Sequence, residues 1–379
     1  MYLNSFLMGS LLCFTVALGN GSFAYALQAP ETSTDAAFKP QSLTKLAVIV
    51  ANSNDASRSG LGMGGRSNEQ GSQPNRQRLV EDVFVQSLLE LGHVVVARSD
   101  LKAVLKEQSL GQSGLTDSNT VAVGKLLNVP AVLVVKITEY ASETQRAARR
   151  NTQPSTTGQV TISARLVSVE TGTVWWQGKH TIKEAIDTAA HLQFTLGKVS
   201  DKLARAFPTK QPDKPKTFEP AEIKKLALIM ESNSRPGSFR QQGSSDQLQE
   251  VEDKLSILLG NKGYTLVSRT DLQTVMQEKQ FQASGLTEEN VTSFGKLLNV
   301  PAVLVVRITD SGPSGPPVGQ RNQGAVIAAI GARLVSVETG EVLWCRTYIE
   351  AKQTSSKLDQ SQVLTQVTKK VGDLFPSRK

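Results

Sequence analysis

The chain has 379 residues, 39% of them hydrophobic and 20% charged, and a formal net charge of +8. That length suits two domains with a core each, and the composition excludes a disordered or collagen-like chain. The charge excess divides evenly, +4 over residues 27–209 and +4 over 210–379, which also excludes the dense basic stripe of a nucleic-acid binder.

The first 26 residues carry no charged side chain. Phe6–Ala17 is apolar and Ala24-Tyr25-Ala26 ends in a small-x-small pattern, so residues 1–26 are expected to be a signal peptide. Gly19–Ser22 cuts the apolar run short of a membrane span. Leu12 stands before Cys13 where lipidation needs a small residue. Cleavage leaves Cys345 as the one thiol, so no intramolecular disulfide is expected. Residues 27–37 read as a polar lead-in.

The rest of the chain is written twice. GKLLNVPAVLVV stands at Gly124–Val135 and again at Gly295–Val306, and ARLVSVETG at Ala164–Gly172 and Ala332–Gly340. The offset between copies is 180 at the first strand, 171 through the middle and 168 from ARLVSVETG onward. The two length changes place loops at 51–77 (against 231–246) and 141–159 (against 312–327). A repeat this long is a domain and not a solenoid unit. The expected units are 38–208 and 218–376, joined by a Pro-rich linker, 209–217, across which few contacts should pass.

Each unit reads alike. Lys45–Val50 is a short apolar strand. Residues 77–91 have helical apolar spacing and end at Gly92, and His93–Ala97 is a strand. Ser99 can cap a helix through Gln108, and Thr116 another. The unbroken apolar run after Pro130 predicts a strand buried on both faces. Strands 159–170 and 174–185 follow, joined by a tight turn with Gly172 at positive φ. A last helix, about 189–206, is stopped by Pro208. The order β-α-β-α-α-β-β-β-α makes the fold class α/β (α+β): two tandem mixed sheets flanked by helices.

No catalytic, cofactor or metal residue stands out, and the chain reads as no enzyme. His93, His180 and His191 have Tyr264, Tyr348 and Asp359 as counterparts, and no metal-ligand spacing or G-x-S-x-G occurs. Gly60–Gly65 fits G-x-G-x-x-G, but the strand before it ends near Val50 and the helix after it starts near Arg76, so it reads as a loop. Arg58, Arg66 and Arg76, with Arg146, Arg149 and Arg150, form a basic rim. They are the candidate partner-binding residues, together with Trp176. Trp175 and Trp176 point to opposite faces of their strand, one into the core and one outward. The repeated pairs Glu81-Asp82 and Glu252-Asp253 have two readings, a solvated helix face or a surface for a neighbouring subunit.

The succession ARSDLKAVLKEQSL, LLNVPAVLVVKITEY, ARLVSVETGTVW resembles the periplasmic domain of the CsgG family, the curli production assembly and transport components, and covers both units. The resemblance implies an envelope location, a mixed α/β fold and assembly through protein–protein contacts. The intervals 141–159 and 185–190 lack the alternation of a membrane strand, so pore hairpins are not expected. The expected role is a non-catalytic tandem module, periplasmic or secreted, that binds envelope proteins in envelope or export assembly. Self-association and peripheral contact with an anionic envelope surface are further expected modes. Nucleic acid, cofactor and a membrane span after cleavage are not expected. The alternatives are an LpoB-like accessory regulator of an envelope enzyme, and a nucleotide-binding protein or enzyme using Gly60–Gly65.

Overall fold

A computed structural model describes residues 29–51, 73–96, 117–145, 155–185, 189–210, 218–231, 241–267, 288–314, 324–354 and 357–378. The signal peptide, the Gly60–Gly65 motif, the helix expected after Ser99 and most of the linker lie outside them.

The N-terminal half builds one sheet from β1 (Glu31–Thr34), β2 (Leu46–Ala51), β3 (Val95–Val96), β4 (Ala131–Gln145), β5 (Ser155–Ser168) and β6 (Val174–Ala185). Their spatial order is β1-β6-β5-β4-β2-β3. β2 runs parallel to β3 and β4, and the remaining pairs are antiparallel. The helices are α1 (Gln73–Glu90), α2 (Asp117–Leu126) and α3 (Ala189–Arg205). On one face α1 and α3 supply Leu79, Phe84, Leu88, Leu196, Val199 and Leu203 to a core that also holds Leu133, Val135, Ile162 and Leu166. On the other face α2 sets Val123 and Leu127 against Ala47, Ile49, Val132 and Val134. Every residue of β4 from Ala131 to Val135 is buried, as the unbroken apolar run requires.

The C-terminal half repeats the plan. It holds β7 (Lys225–Glu231), α4 (Gln241–Asn261), β8 (Thr265–Leu266), α5 (Glu288–Leu297), β9 (Ala302–Ser314), β10 (Gly324–Ser336), β11 (Val342–Thr354) and α6 (Lys357–Leu374). The sheet order is β11-β10-β9-β7-β8, the first order without its β1. α4 and α6 cover one face through Val251, Leu255, Leu259, Val363, Val367 and Val371. Packing explains the verbatim phrases. A Cβ on Gly124 would lie 2.1 Å from Val169 Cγ2, and one on Gly295 2.2 Å from Val337 Cγ2, so only glycine lets α2 and α5 sit this close to their sheets. Gly172 (φ +71°) and Gly340 (φ +68°) make the expected hairpin turns.

Several expectations are corrected. α1 begins at Gln73, four residues before the apolar spacing starts. The strand expected at His93–Ala97 is only Val95–Val96 within the described residues. The loop expected at 141–159 is largely ladder, because β4 reaches Gln145 and β5 starts at Ser155, paired through polar residues. Within the polar lead-in, β1 pairs with β6, Glu31 opposite Lys179 and Thr34 opposite Trp176.

The largest correction concerns the halves. One continuous apolar cluster holds Leu79, Phe84 and Leu88 of α1 together with Ala227, Val303, Val335 and Cys345 of the C-terminal sheet. α1 and α3 are thus sandwiched between the two sheets, with α2 on the far face of the N-terminal sheet and α4 and α6 on the far face of the C-terminal one. Few contacts across the linker is not what the structure shows.

His93 and Tyr264 explain each other. His93 Nε2 lies 2.8 Å from Pro208 O, and Tyr264 Oη donates to Pro376 O at 2.9 Å. Each ring also packs edge-on against the phenylalanine of its Phe-Pro end, Phe207 or Phe375. The histidine is therefore a tie between α1's end and the chain's return. A carbonyl only accepts, so Nε2 carries the proton of the neutral ring. Burial holds His93 below its ordinary value of 6.5, with Lys210 acting the same way and the Pro208 carbonyl opposing. The unfolded chain binds the proton more readily, so this contribution is intact above about pH 6.5 and is lost on acidification. His93→Tyr keeps the tie and removes the proton site. It should melt within a few degrees of wild type at pH 7.5 and lose less than wild type at pH 5, as circular-dichroism melts would show; an equal loss would contradict this.

Candidate functional site

Where α1 meets the C-terminal sheet, the contact is charged and buried. β10 turns Arg333 toward α1, and β9 and β7 do the same with Arg307 and Glu231. Arg333 Nη1 donates to Glu81 Oε1 at 3.0 Å, and Arg333 Nη2 pairs with Asp82. Arg307 Nε donates to Glu231 Oε2 at 2.7 Å, and Arg307 Nη1 stands 3.6 Å from Asp82 Oδ2. Arg78 reaches Glu231 Oε1 at 2.8 Å. Asp82 is 1% exposed and Arg333 4%, so these charges depend on one another rather than on water. Burial by itself lowers the Arg307 pKa, but the Asp82 and Glu231 carboxylates overcome it and the net shift is upward. Arg307 therefore stays charged in the contact.

Backbone and small residues complete the fit. Cys345 Sγ faces Asp82 O at 3.5 Å, and Thr347 N on edge strand β11 donates to Gln86 Oε1 at 3.0 Å. Glu90 accepts from Arg346 at 2.9 Å and from Arg205 at 3.0 Å. Gly331 has no side chain to hold Asp82 off: a Cβ there would be 2.5 Å from Asp82 Oδ2. Gly197 of α3 plays the same part opposite Ile349, at 3.0 Å.

The N-terminal sheet has the matching face. There Arg165, Lys136, Ala51, Ser163 and Gln177 stand at the positions of Arg333, Arg307, Glu231, Gly331 and Cys345. In place of two helices it presents a groove of about 560 Å³, floored by Val134, Ser163, Arg165 and Gln177 and rimmed by Lys136, Lys179 and Glu31. Lys136, Gln177 and Lys179 are exposed and Arg165 is half-buried.

The residues singled out from sequence are scattered. Arg58, Arg66, Arg146, Arg149 and Arg150 lie outside the described residues. Arg76 is half-buried on α1, its guanidinium 4.1 Å from the centre of the Tyr140 ring. Trp176 is a correction: it is 1% exposed, packed edge-on against Phe207, and has no surface to offer a partner. Its neighbour Trp175 is half-buried, packs against the same core and stacks on Phe38 at 5.4 Å; it is the extra residue where the β5–β6 register shifts, so the expected outward face is also corrected. Glu81-Asp82 meets neither reading of that pair: it is neither solvated nor open to a neighbouring subunit, but buried against Arg333 in the other half of the same chain. The cations that meet it went unnoticed because Arg165 and Arg333 sit inside an apolar phrase. The signal was the in-out alternation of ARLVSVE, which puts arginine on the face opposite Leu166 and Leu334. Among the described residues no three His, Cys, Asp or Glu side chains converge as a metal site, and no helix is long and apolar enough to cross a membrane.

Residues 29–199 match the family model of the curli production assembly/transport component CsgG. That segment belongs to the CsgG family. Three solved structures with likeness to the chain are the PelC dodecamer from Paraburkholderia phytofirmans, the lipoprotein GNA1162 from Neisseria meningitidis and the LpoB C-terminal domain from Escherichia coli. PelC is 14% identical over 48% of this chain and 99% of its own, with a TM-score of 0.30. GNA1162 is 14% identical over 39% of this chain and 98% of its own, with a TM-score of 0.28. LpoB is 17% identical over 34% of this chain and 83% of its own, with a TM-score of 0.22. No curated protein matches the sequence.

The CsgG segment contributes α1, so its fit to the C-terminal sheet is testable at Gly331. Gly331→Ala pushes the Asp82 carboxylate off Arg333 and should cost about 1–3 kcal/mol in urea unfolding. Ser163→Ala, the same position on the open sheet, should change stability by less than about 0.5 kcal/mol. Equal effects would show that the glycine is not an interface device.

Proposed function

We propose that the chain is a non-catalytic module of the cell envelope, two CsgG-like units over 38–208 and 218–376, that binds protein in envelope or export assembly. The CsgG match of the N-terminal half supports the envelope setting. The observation that carries the binding role is the internal contact: the outer face of one CsgG-like sheet receives a pair of helices through buried Arg–carboxylate pairs. The N-terminal sheet offers the corresponding face, with cations on it and, among the described residues, an open groove. A docked helix pair bearing carboxylates suits that face in shape and in charge.

The test is capture from native envelopes with and without the groove. Chemical cross-linking followed by purification of the tagged full chain should recover defined protein partners. Lys136→Glu combined with Lys179→Glu reverses two exposed charges, so the fold should be unaffected while recovery falls by about tenfold. Undiminished recovery with the reversed groove would refute the groove as the binding surface.

A further inference from the structure

One position, repeated on both sheets, holds an oxyanion on the first and lies open on the second. On the C-terminal sheet Glu231, Arg307, Gly331 and Thr347 stand side by side on β7, β9, β10 and β11. Arg333 faces the same way from the next row. The Asp82 carboxylate lies over Gly331, where a Cβ would be 2.5 Å from Oδ2, and Arg333 and Arg307 meet it from the side. This spot is an oxyanion site that the chain fills for itself.

The matching row on the N-terminal sheet is Ala51, Lys136, Ser163, Lys179 and Glu31, and every member lines the groove. Ser163 takes the place of Gly331. Lys136 and Lys179 flank it on the adjoining strands, about 5 Å to either side. Both lysines are exposed, and among the described residues neither has a hydrogen bond or ion pair. Glu231, which pairs with Arg307, has Ala51 in its place, so Lys136 lacks that carboxylate. Arg165 in the next row has a partner of its own and serves as a wall. Glu31, in register with Lys179, is the acid at the rim and opposes an anion.

The exchanged residues change which oxyanion fits. Arginine presents a planar fork that matches a carboxylate. Lysine is a compact point charge whose three donors turn freely. Two lysines beside a hydroxyl therefore suit a tetrahedral oxyanion, and a phosphate monoester brings close to two negative charges to them. Gln177 in place of Cys345 adds an amide donor to the floor. The groove, about 560 Å³, has the volume of a small-molecule site, for which roughly 300–1,000 Å³ is usual.

We propose that the N-terminal groove is a phosphate-monoester site, with the phosphoryl group seated over Ser163 between Lys136 and Lys179. A soluble alcohol or sugar phosphate and a lipid headgroup both present that chemistry. The site goes beyond the protein-docking reading and shares its lysines, so a bound phosphate should displace an acidic protein from the groove.

Calorimetric titration of the purified chain downstream of residue 26, at low ionic strength, tests this with glycerol phosphate, inorganic phosphate and malonate. Both phosphates should show one saturable site, about tenfold tighter than malonate, a dianion of planar carboxylates. Lys136→Met/Lys179→Met should weaken phosphate binding by about tenfold or more at an unchanged melting temperature. Ser163→Ala should weaken it severalfold, and Glu31→Gln should tighten it. If the double variant fails to fold, these two milder changes decide. Flotation with phosphatidylcholine vesicles, with and without phosphatidic acid, separates the sources. Binding of the free ester supports a soluble ligand. Recovery on phosphatidic acid vesicles alone, lost in the double variant, supports a lipid headgroup.

No saturable binding of any phosphate probe would overturn the proposal. So would binding that malonate matches, that survives the double variant, or that Glu31→Gln weakens. Capture of an envelope protein through the groove with no phosphate binding would overturn this site and leave the docking role standing.

Discussion

Asp82 is a carboxylate with almost no water around it, and the rest of the architecture follows from how it is held. Its neighbours on the same helix, Leu79, Phe84 and Leu88, face the N-terminal core. Its own side chain faces the other way, against Arg333 and the glycine at 331. A helix with a core on one side and a buried ion pair on the other cannot be stripped from either sheet without exposing something costly. Removing the C-terminal half would bare an apolar seam and a carboxylate pair. Removing Arg333 alone would leave Glu81 and Asp82 buried without that cation, a loss on the order of 3–5 kcal/mol.

The same constraint distinguishes the copies. α1 is buried along its whole middle and carries Val83 and Val85. α4, open to solvent on one side, carries Lys254 and Ser256 at those positions. Lys254 pairs with Glu250 one turn back. The sheets diverge in the complementary sense, with Cys345 and Ile349 on the covered face and Gln177 and Thr181 on the open one. Burial has shaped the covered contact, and the open pair keeps the charges but a wetter surround.

Much of this was legible and some of it was not, for physical reasons. The central strand showed because five consecutive apolar residues need two covered faces. The hairpin showed because its turn needs a glycine at positive φ. β1 was hidden, since four exposed polar residues carry no periodic signal. The extensions of β4 and β5 were hidden likewise, by threonine, serine and glutamine on both faces. Trp175 and Trp176 escaped strand parity, because Trp175 is the extra residue at a register shift and both rings pack against one core. Arg165 and Arg333 lie in identical phrases, yet one is half-buried and the other almost wholly so. No local pattern separates them, because the difference is a helix from the other half of the chain.

The most direct test of the account is a double-mutant cycle across the halves, Asp82→Asn with Arg333→Met, read by urea unfolding of the full chain. The account predicts one cooperative transition and a coupling of about 1–3 kcal/mol between the two positions. Two separate transitions, or effects that add to within about 0.5 kcal/mol, would contradict it.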